Sequence, residues 1–86
     1  VVIEFNGDVF HGNPEIFNEN DKPNPYNQAL KAKQIWESDK QRIMWLKENY
    51  NVSVIVVWEN DYRKKGYEYL KQYVINQLKE INGILI

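Results

Sequence analysis

The densest run of chemically useful side chains is Glu4-Phe5-Asn6-Gly7-Asp8-Val9-Phe10-His11-Gly12-Asn13-Pro14. Two carboxylates, two asparagines and the chain's only histidine fall around what reads as a strand end and a glycine turn. Alternation along the strand puts Glu4 and Asn6 on one face, so both project toward one cleft. Carboxylates gathered in a cleft suit Mg2+, a hard cation that takes oxygen ligands and keeps several waters. A histidine beside them can serve as general base or acid. A plainer reading stands next to this one: acids are common at strand ends, and a lone histidine beside a turn is more often a surface or capping residue. Gly7 and Gly12 carry no phosphate-loop signature, because no Gly-Lys-Ser or Gly-Lys-Thr follows them.

A third carboxylate is out of place in a different way. Ala32, Trp36, Asp39, Ile43, Leu46 and Tyr50 follow one another at spacings of four and three, the stripe of a single helix face. Asp39 sits where that stripe should be apolar. An unpartnered carboxylate on a packed face costs on the order of 3–5 kcal/mol, so it needs a partner. His11 is the one histidine that could supply it, and an aspartate would orient the ring and stabilise the imidazolium formed when it takes a proton. The alternative is that Asp39 binds Lys40, Arg42 or a backbone amide at a half-exposed edge.

The elements that must hold these residues follow from the pattern of apolar positions. Residues 1–5 read as a strand, with Val1, Ile3 and Phe5 on one face and Val2, Glu4 and Asn6 on the other. Asn6-Gly7-Asp8 breaks the strand and a polar stretch follows through Pro25, of which the run from Asn18 to Pro25 has loop composition. The long helix is expected to start near Pro25, with Asn24 as its cap. Asn51 marks a turn, and residues 52–59 read as a central strand covered on both faces. Asn60 and Asp61 open a charged turn through Gly66. A second helix then carries Tyr67, Leu70, Val74, Leu78 and Ile81, and Asn82-Gly83 ends it. Ile84-Leu85-Ile86 begins a last strand. Strand, helix, strand, helix and a possible strand make an α/β sandwich.

Around this frame, Glu59 either supports the site from the end of its strand or simply begins the turn. Arg63-Lys64-Lys65 either meets phosphates or is a solvated turn. Trp36, Trp45, Tyr50 and Tyr73 fall at helical spacings and read as core.

Composition limits the function classes. The 86 residues suffice for one small domain, with neither a repeat nor an internal boundary. Without cysteine there is neither a disulfide framework nor a thiolate zinc site. No signal peptide is recognisable, and the longest apolar run is far too short to span a bilayer, so a soluble, cytoplasmic protein is expected. A net charge of −1 weighs against a domain that holds nucleic acid by bulk electrostatics alone. The chain opens inside an apolar β-branched run without an initiator Met, which reads as the C-terminal portion of a longer protein.

Taken in order, these residues resemble the very-short-patch-repair (Vsr) endonucleases and their relatives, the EDxHD homing endonucleases of phage genomes. The likeness lies in Val2-Ile3-Glu4-Phe5-Asn6-Gly7-Asp8 leading to Phe10-His11, in the helix bearing Asp39 and Lys40, and in the strand Ile55-Val56-Val57-Trp58-Glu59. It covers residues 1–59, and its specificity lies in the ordered set. The resemblance implies a restriction-endonuclease-like, PD-(D/E)xK core: a central sheet flanked by helices, N-terminally truncated, forming a single catalytic domain over residues 1–86. It implies a metal-dependent endonuclease that hydrolyses double-stranded DNA with Mg2+, with a DNA-binding domain elsewhere in the parent chain.

In the family's five-residue pattern the closing histidine and aspartate fall on His11 and Asp39. The variable middle position falls on Phe5, which would offer its backbone carbonyl to the metal. The two opening acids have no counterpart here. Asn6 takes a place where relatives carry a more basic residue and is counted with the catalytic group, and Glu4 and Asp8 are the remaining metal-ligand candidates. The competing expectation is a non-catalytic module that keeps the nuclease fold and binds nucleic acid or protein.

Overall fold

A computed structural model describes residues 1–83 of the chain. Its elements run β1 (Val2–Asn6), α1 (Asp8–His11), α2 (Ala32–Tyr50), β2 (Val54–Trp58) and α3 (Glu59–Ile81). The strand expected at Ile84-Leu85-Ile86 lies outside the described residues.

The two strands pair in parallel, with Ile3 opposite Ile55, Glu4 opposite Val56, Phe5 opposite Val57 and Asn6 opposite Trp58. Because side chains alternate, this register sorts them. Ile3, Phe5 and Val57 face Leu70 and Val74 of α3. Asn6, Val56 and Trp58 face Trp36, Asp39 and Ile43 of α2. The outcome is a small mixed α/β domain with a helix on each face of a two-stranded parallel sheet. Among the described residues β2 has β1 as its only neighbour, so it is not a central strand. Its α3 face is nevertheless buried at Ile55 and Val57. Burying those two side chains contributes about 1.5–3 kcal/mol each.

Three boundaries differ from the sequence expectation. The polar stretch after β1 contains a turn of helix, α1, closed by Gly12 in the left-handed region at φ 61. The long helix starts at Ala32 rather than near Pro25. Asn24 Oδ1 instead accepts from the Tyr26 N–H and Asn27 Oδ1 from the Ala29 N–H, local turns that compete with helix. The first N–H groups of α2 then donate to loop carbonyls, Ala32 to Asp21 and Lys33 to Glu19, while the Lys31 N–H donates to Gln34 Oε1. Finally, residues 59–65 are helical, not a charged turn, and the break falls at Gly66, with φ 81 and ψ 177. That backbone region belongs almost solely to glycine.

Two further positions match expectation. Asn51 ends α2 with φ 53, and Gly83 follows α3 with φ 70. Of the aromatics expected in the core, Trp36 and Tyr73 are half-buried, but Trp45 and Tyr50 are exposed. These two pack edge-on against each other at 5.3 Å between ring centres, leaving Tyr50 off the face that meets the sheet. Tyr67, expected on the buried stripe of α3, is also exposed, because it directly follows the Gly66 break.

Candidate active site: a histidine–aspartate pair between the sheet and the long helix

His11 reaches the site because the turn carrying it is tied to α2. The Trp36 indole N–H donates to the Gly12 carbonyl, one residue after His11. Approach is close here: a Cβ on Gly12 would lie 3.3 Å from Pro23 Cγ, 3.4 Å from Trp36 Nε1 and 3.5 Å from Ala32 Cβ. Glycine is therefore favoured both by φ and by space, since a side chain here would force its neighbours to shift by a few tenths of an ångström. Asp39 lies three residues after Trp36, one turn further along the same face. The tie that fixes Gly12 thus presents His11 to Asp39, and His11 Nδ1 lies 2.9 Å from Asp39 Oδ2.

A carboxylate only accepts, so Nδ1 carries the proton and, in the neutral ring, Nε2 keeps its lone pair. No hydrogen bond engages Nε2 among the described residues. The two side chains are 33% and 25% exposed, screened but reachable. Both line a cleft of about 390 Å3 between the sheet and α2, together with Asn6, Trp36, Lys40 and Trp58. Asn6 is 5% exposed and its carboxamide makes no side-chain hydrogen bond among the described residues. No fully buried side-chain nitrogen or oxygen is left without a partner among the described residues, so the Asn6 amide keeps some contact with solvent.

Asp39 also realises the alternative considered for it. Its Oδ1 lies 3.9 Å from an Arg42 nitrogen, one turn along α2. Arg42 in turn grips Glu4 with both terminal nitrogens, the second at 2.8 Å from Oε2. Glu4, Arg42, Asp39 and His11 thus form one chain of charge. The hydrogen bonds from Arg42 hold the Glu4 carboxyl below its usual 4.5, although partial burial works the other way. The same pairing raises Arg42.

The remaining candidates do not join this cleft. Asp8 is 6% exposed and its Oδ1 accepts from Asn13 Nδ2 at 2.9 Å and from the Asn60 N–H at 3.2 Å. Glu59 returns the contact, its Oε1 accepting from the Asp8 N–H at 3.2 Å. Asp8 and Glu59 thereby satisfy each other's helix starts, where N–H groups lack intrahelical partners. Glu59 begins α3 rather than a turn, and its carboxylate meets the start of α1 rather than the cleft. Asn13, 1% exposed, fixes the loop by accepting the Glu15 N–H. The Phe5 side chain faces α3, with its ring edge-on to Tyr62 at 6.3 Å.

The Mg2+ implied by the resemblance can be tested against these donors. Among the described residues, no three His, Asp or Glu side chains converge on one point, and a magnesium ion that keeps its waters would need one or two free carboxylates. Glu4 is engaged by Arg42, and Asp8 is turned into the α1–α3 junction. The carboxylates of Glu4 and Asp8 therefore do not meet at one magnesium site as they stand.

No family model, characterised protein or solved structure matches the chain. No helix among the described residues is long and apolar enough to cross a membrane.

Sequence reasoning did not anticipate the Arg42–Glu4 grip, the reciprocal Asp8–Glu59 junction or the apolar walls of the cleft. Only the cleft had a readable signal, since Trp36 and Ile43 share the helix stripe that holds Asp39.

Proposed function

We propose that the chain hydrolyses phosphodiester bonds of DNA, with His11 as general base or acid and Asp39 as the residue that holds it. The observation that carries this reading is the 2.9 Å contact between His11 Nδ1 and Asp39 Oδ2 at the wall of an open cleft. In hydrolysis, Nε2 takes a proton from water as the water oxygen bonds to phosphorus. The bond from phosphorus to the departing sugar oxygen breaks, and that oxygen is protonated in turn. Asp39 stabilises the imidazolium formed meanwhile. Lys40 and Asn6 share the cleft with the pair, one offering charge and the other an N–H donor to a phosphate oxygen. The resemblance to Vsr-like endonucleases supports the substrate class, because the residues at its closing positions are the two found in contact. No step is assigned to a metal, whose ligands the described residues do not gather.

The test is nicking of supercoiled plasmid by the protein with and without Mg2+, comparing wild type with His11→Ala and Asp39→Asn. Loss of one positioned acid–base group is expected to cost about 10²- to 10⁴-fold in rate, with both variants still folded. Nicking that survives both substitutions would remove the pair from the mechanism.

A second reading is a non-catalytic module with a nuclease-like fold that binds nucleic acid or protein. It draws support from Glu4 and Asp8, whose carboxylates are committed to internal contacts. A folded wild-type protein that nicks no DNA under any metal condition would favour it.

A further inference from the structure

The cleft beside the His11–Asp39 pair has two kinds of wall. Lys40 and Asn6 offer the charge and the N–H donor that meet a phosphate. Lys40 makes no ion pair among the described residues. Asn6 is 5% exposed, its carboxamide makes no side-chain hydrogen bond among the described residues, and it lines this cleft without being fully enclosed. The rest of the wall is carbon: Ile43, Met44, Val56 and the rings of Trp36 and Trp58. At about 390 Å3 the space falls within the roughly 300–1,000 Å3 of clefts that hold small ligands.

These two tryptophans differ from the third. Trp45 packs on Tyr50, whereas neither Trp36 nor Trp58 is paired with another ring among the described residues. Trp58 ends β2 directly opposite Asn6 at the end of β1, so ring and carboxamide are cross-strand neighbours on the face toward α2. Trp36 is pinned through its indole N–H to the Gly12 carbonyl, which makes its ring a fixed wall. A second depression, of about 200 Å3, shares His11 and Asp39 and adds Gln34 and Ser38. A phosphate held at the pair thus has room on either side, which suits an internal linkage of a polymer rather than a terminal phosphate.

A flat ring joined through a sugar to a phosphate matches both kinds of wall. A nucleobase lays its face on an aromatic side chain while the phosphate beside it meets the polar groups. A bare sugar phosphate would leave the tryptophans unmet, and an aliphatic ester would leave Lys40 and Asn6 unmet. Within a duplex a base is paired and stacked, and it reaches such a cleft only by turning out of the helix. In a strand of free bases that cost is absent.

We propose that this cleft takes one unstacked nucleobase against Trp36 and Trp58, next to the phosphate at His11, so that the substrate is a strand with free bases rather than a fully paired duplex. The proposal rests on the hydrolytic reading for the position of the phosphate, and the base contact is measured apart from cleavage.

The test is quenching of intrinsic fluorescence in the Trp45→Phe chain, whose tryptophan emission comes from Trp36 and Trp58 alone, on titration with thymidylyl-thymidine. The comparison probe is the same sugar–phosphate dimer without its bases. The thymine-bearing probe is expected to quench, and to bind on the order of tenfold more tightly than the abasic one, as a single base–ring stack implies. Trp58→Leu keeps apolar bulk and removes a ring, and in a chain whose circular dichroism matches wild type it is expected to lose most of that preference. Trp58→Phe retains it. An oligothymidylate strand is expected to displace the probe well, and a blunt duplex at matched nucleotide concentration poorly. Three results would overturn the proposal: equal affinity for the two probes, a preference unchanged in Trp58→Leu, or equal displacement by strand and duplex. Plasmid nicking together with equal affinity for the two probes would remove the base site alone. A preference for the thymine probe without any nicking would keep the base site and remove the hydrolytic role of the pair.

Discussion

Asp8 opens the short α1 and Asp39 meets the histidine that closes it, yet the two carboxylates serve opposite ends. Asp8 is 6% exposed, and its Oδ1 takes one side-chain and one backbone donor from two different segments. Asp39 is half-buried, with its side chain 25% exposed, and its short contact is to a titratable ring whose other nitrogen is free among the described residues. A carboxylate saturated by fixed donors is a joint. One that meets a single mobile proton carrier, at the wall of a cleft, is equipped for chemistry. Sequence marks Asp39 by its place in an apolar stripe but gives no sign that Asp8 is tied up by Asn13 and Asn60.

The widest gap between them should appear in stability. Asp8→Ala leaves the Asn13 amide and the Asn60 N–H without their acceptor inside the fold. It is expected to lower the free energy of unfolding by about 3 kcal/mol in urea denaturation. A wild-type midpoint for this variant would mean that Asp8 is not the joint described, and the contrast with Asp39 would collapse.

Asp39→Asn supplies the opposite arm. The amide keeps the shape and can still face the ring, and the pair is partly solvated, so the change in stability is expected to be under about 1 kcal/mol. The cleavage loss expected of the same variant would then come without unfolding. A destabilisation as large as that of Asp8→Ala would make Asp39 a second joint and leave the hydrolytic reading without its main support.

What could be read from sequence follows the same division between local and distant causes. The His11–Asp39 pair was legible because Asp39 interrupts an apolar stripe and the chain holds only one histidine. The register that turns Asn6 toward the cleft was legible from alternation in β1. The start of α2 was not, because it depends on carbonyls of Glu19 and Asp21 folding back to meet its first N–H groups. Nor was the helical character of residues 59–65, where Asp8 receives the Asn60 N–H across 52 positions of sequence. The Arg42–Glu4 grip spans 38 positions and left no periodic trace. The more specific nuclease-like core, unlike the mixed α/β arrangement, rests on the ordered resemblance alone.

Glu4 falls between the two aspartates and gives the smallest and most discriminating test. It is held by a two-pronged arginine contact, but Arg42 is 41% exposed, so the pair is worth under about 1 kcal/mol. The hydrogen bonds from Arg42 lower the folded-state value of the Glu4 carboxyl beneath the ordinary 4.5. A lowered folded value contributes stability that is fully present above the unfolded value and is lost as pH falls through the folded one. Wild type should therefore exceed Glu4→Gln in urea stability at neutral pH, and the difference should shrink toward zero as the medium is acidified below that range. A difference that stays constant into acid would assign the effect of Glu4 to its shape rather than its charge. Since Arg42 also approaches Asp39, the same variant asks whether the proposed role of the His11–Asp39 pair depends on this neighbour. Unchanged nicking by Glu4→Gln would confine Glu4 to the scaffold, whereas a loss with stability intact would extend the working site from His11 and Asp39 through Arg42 to the strand.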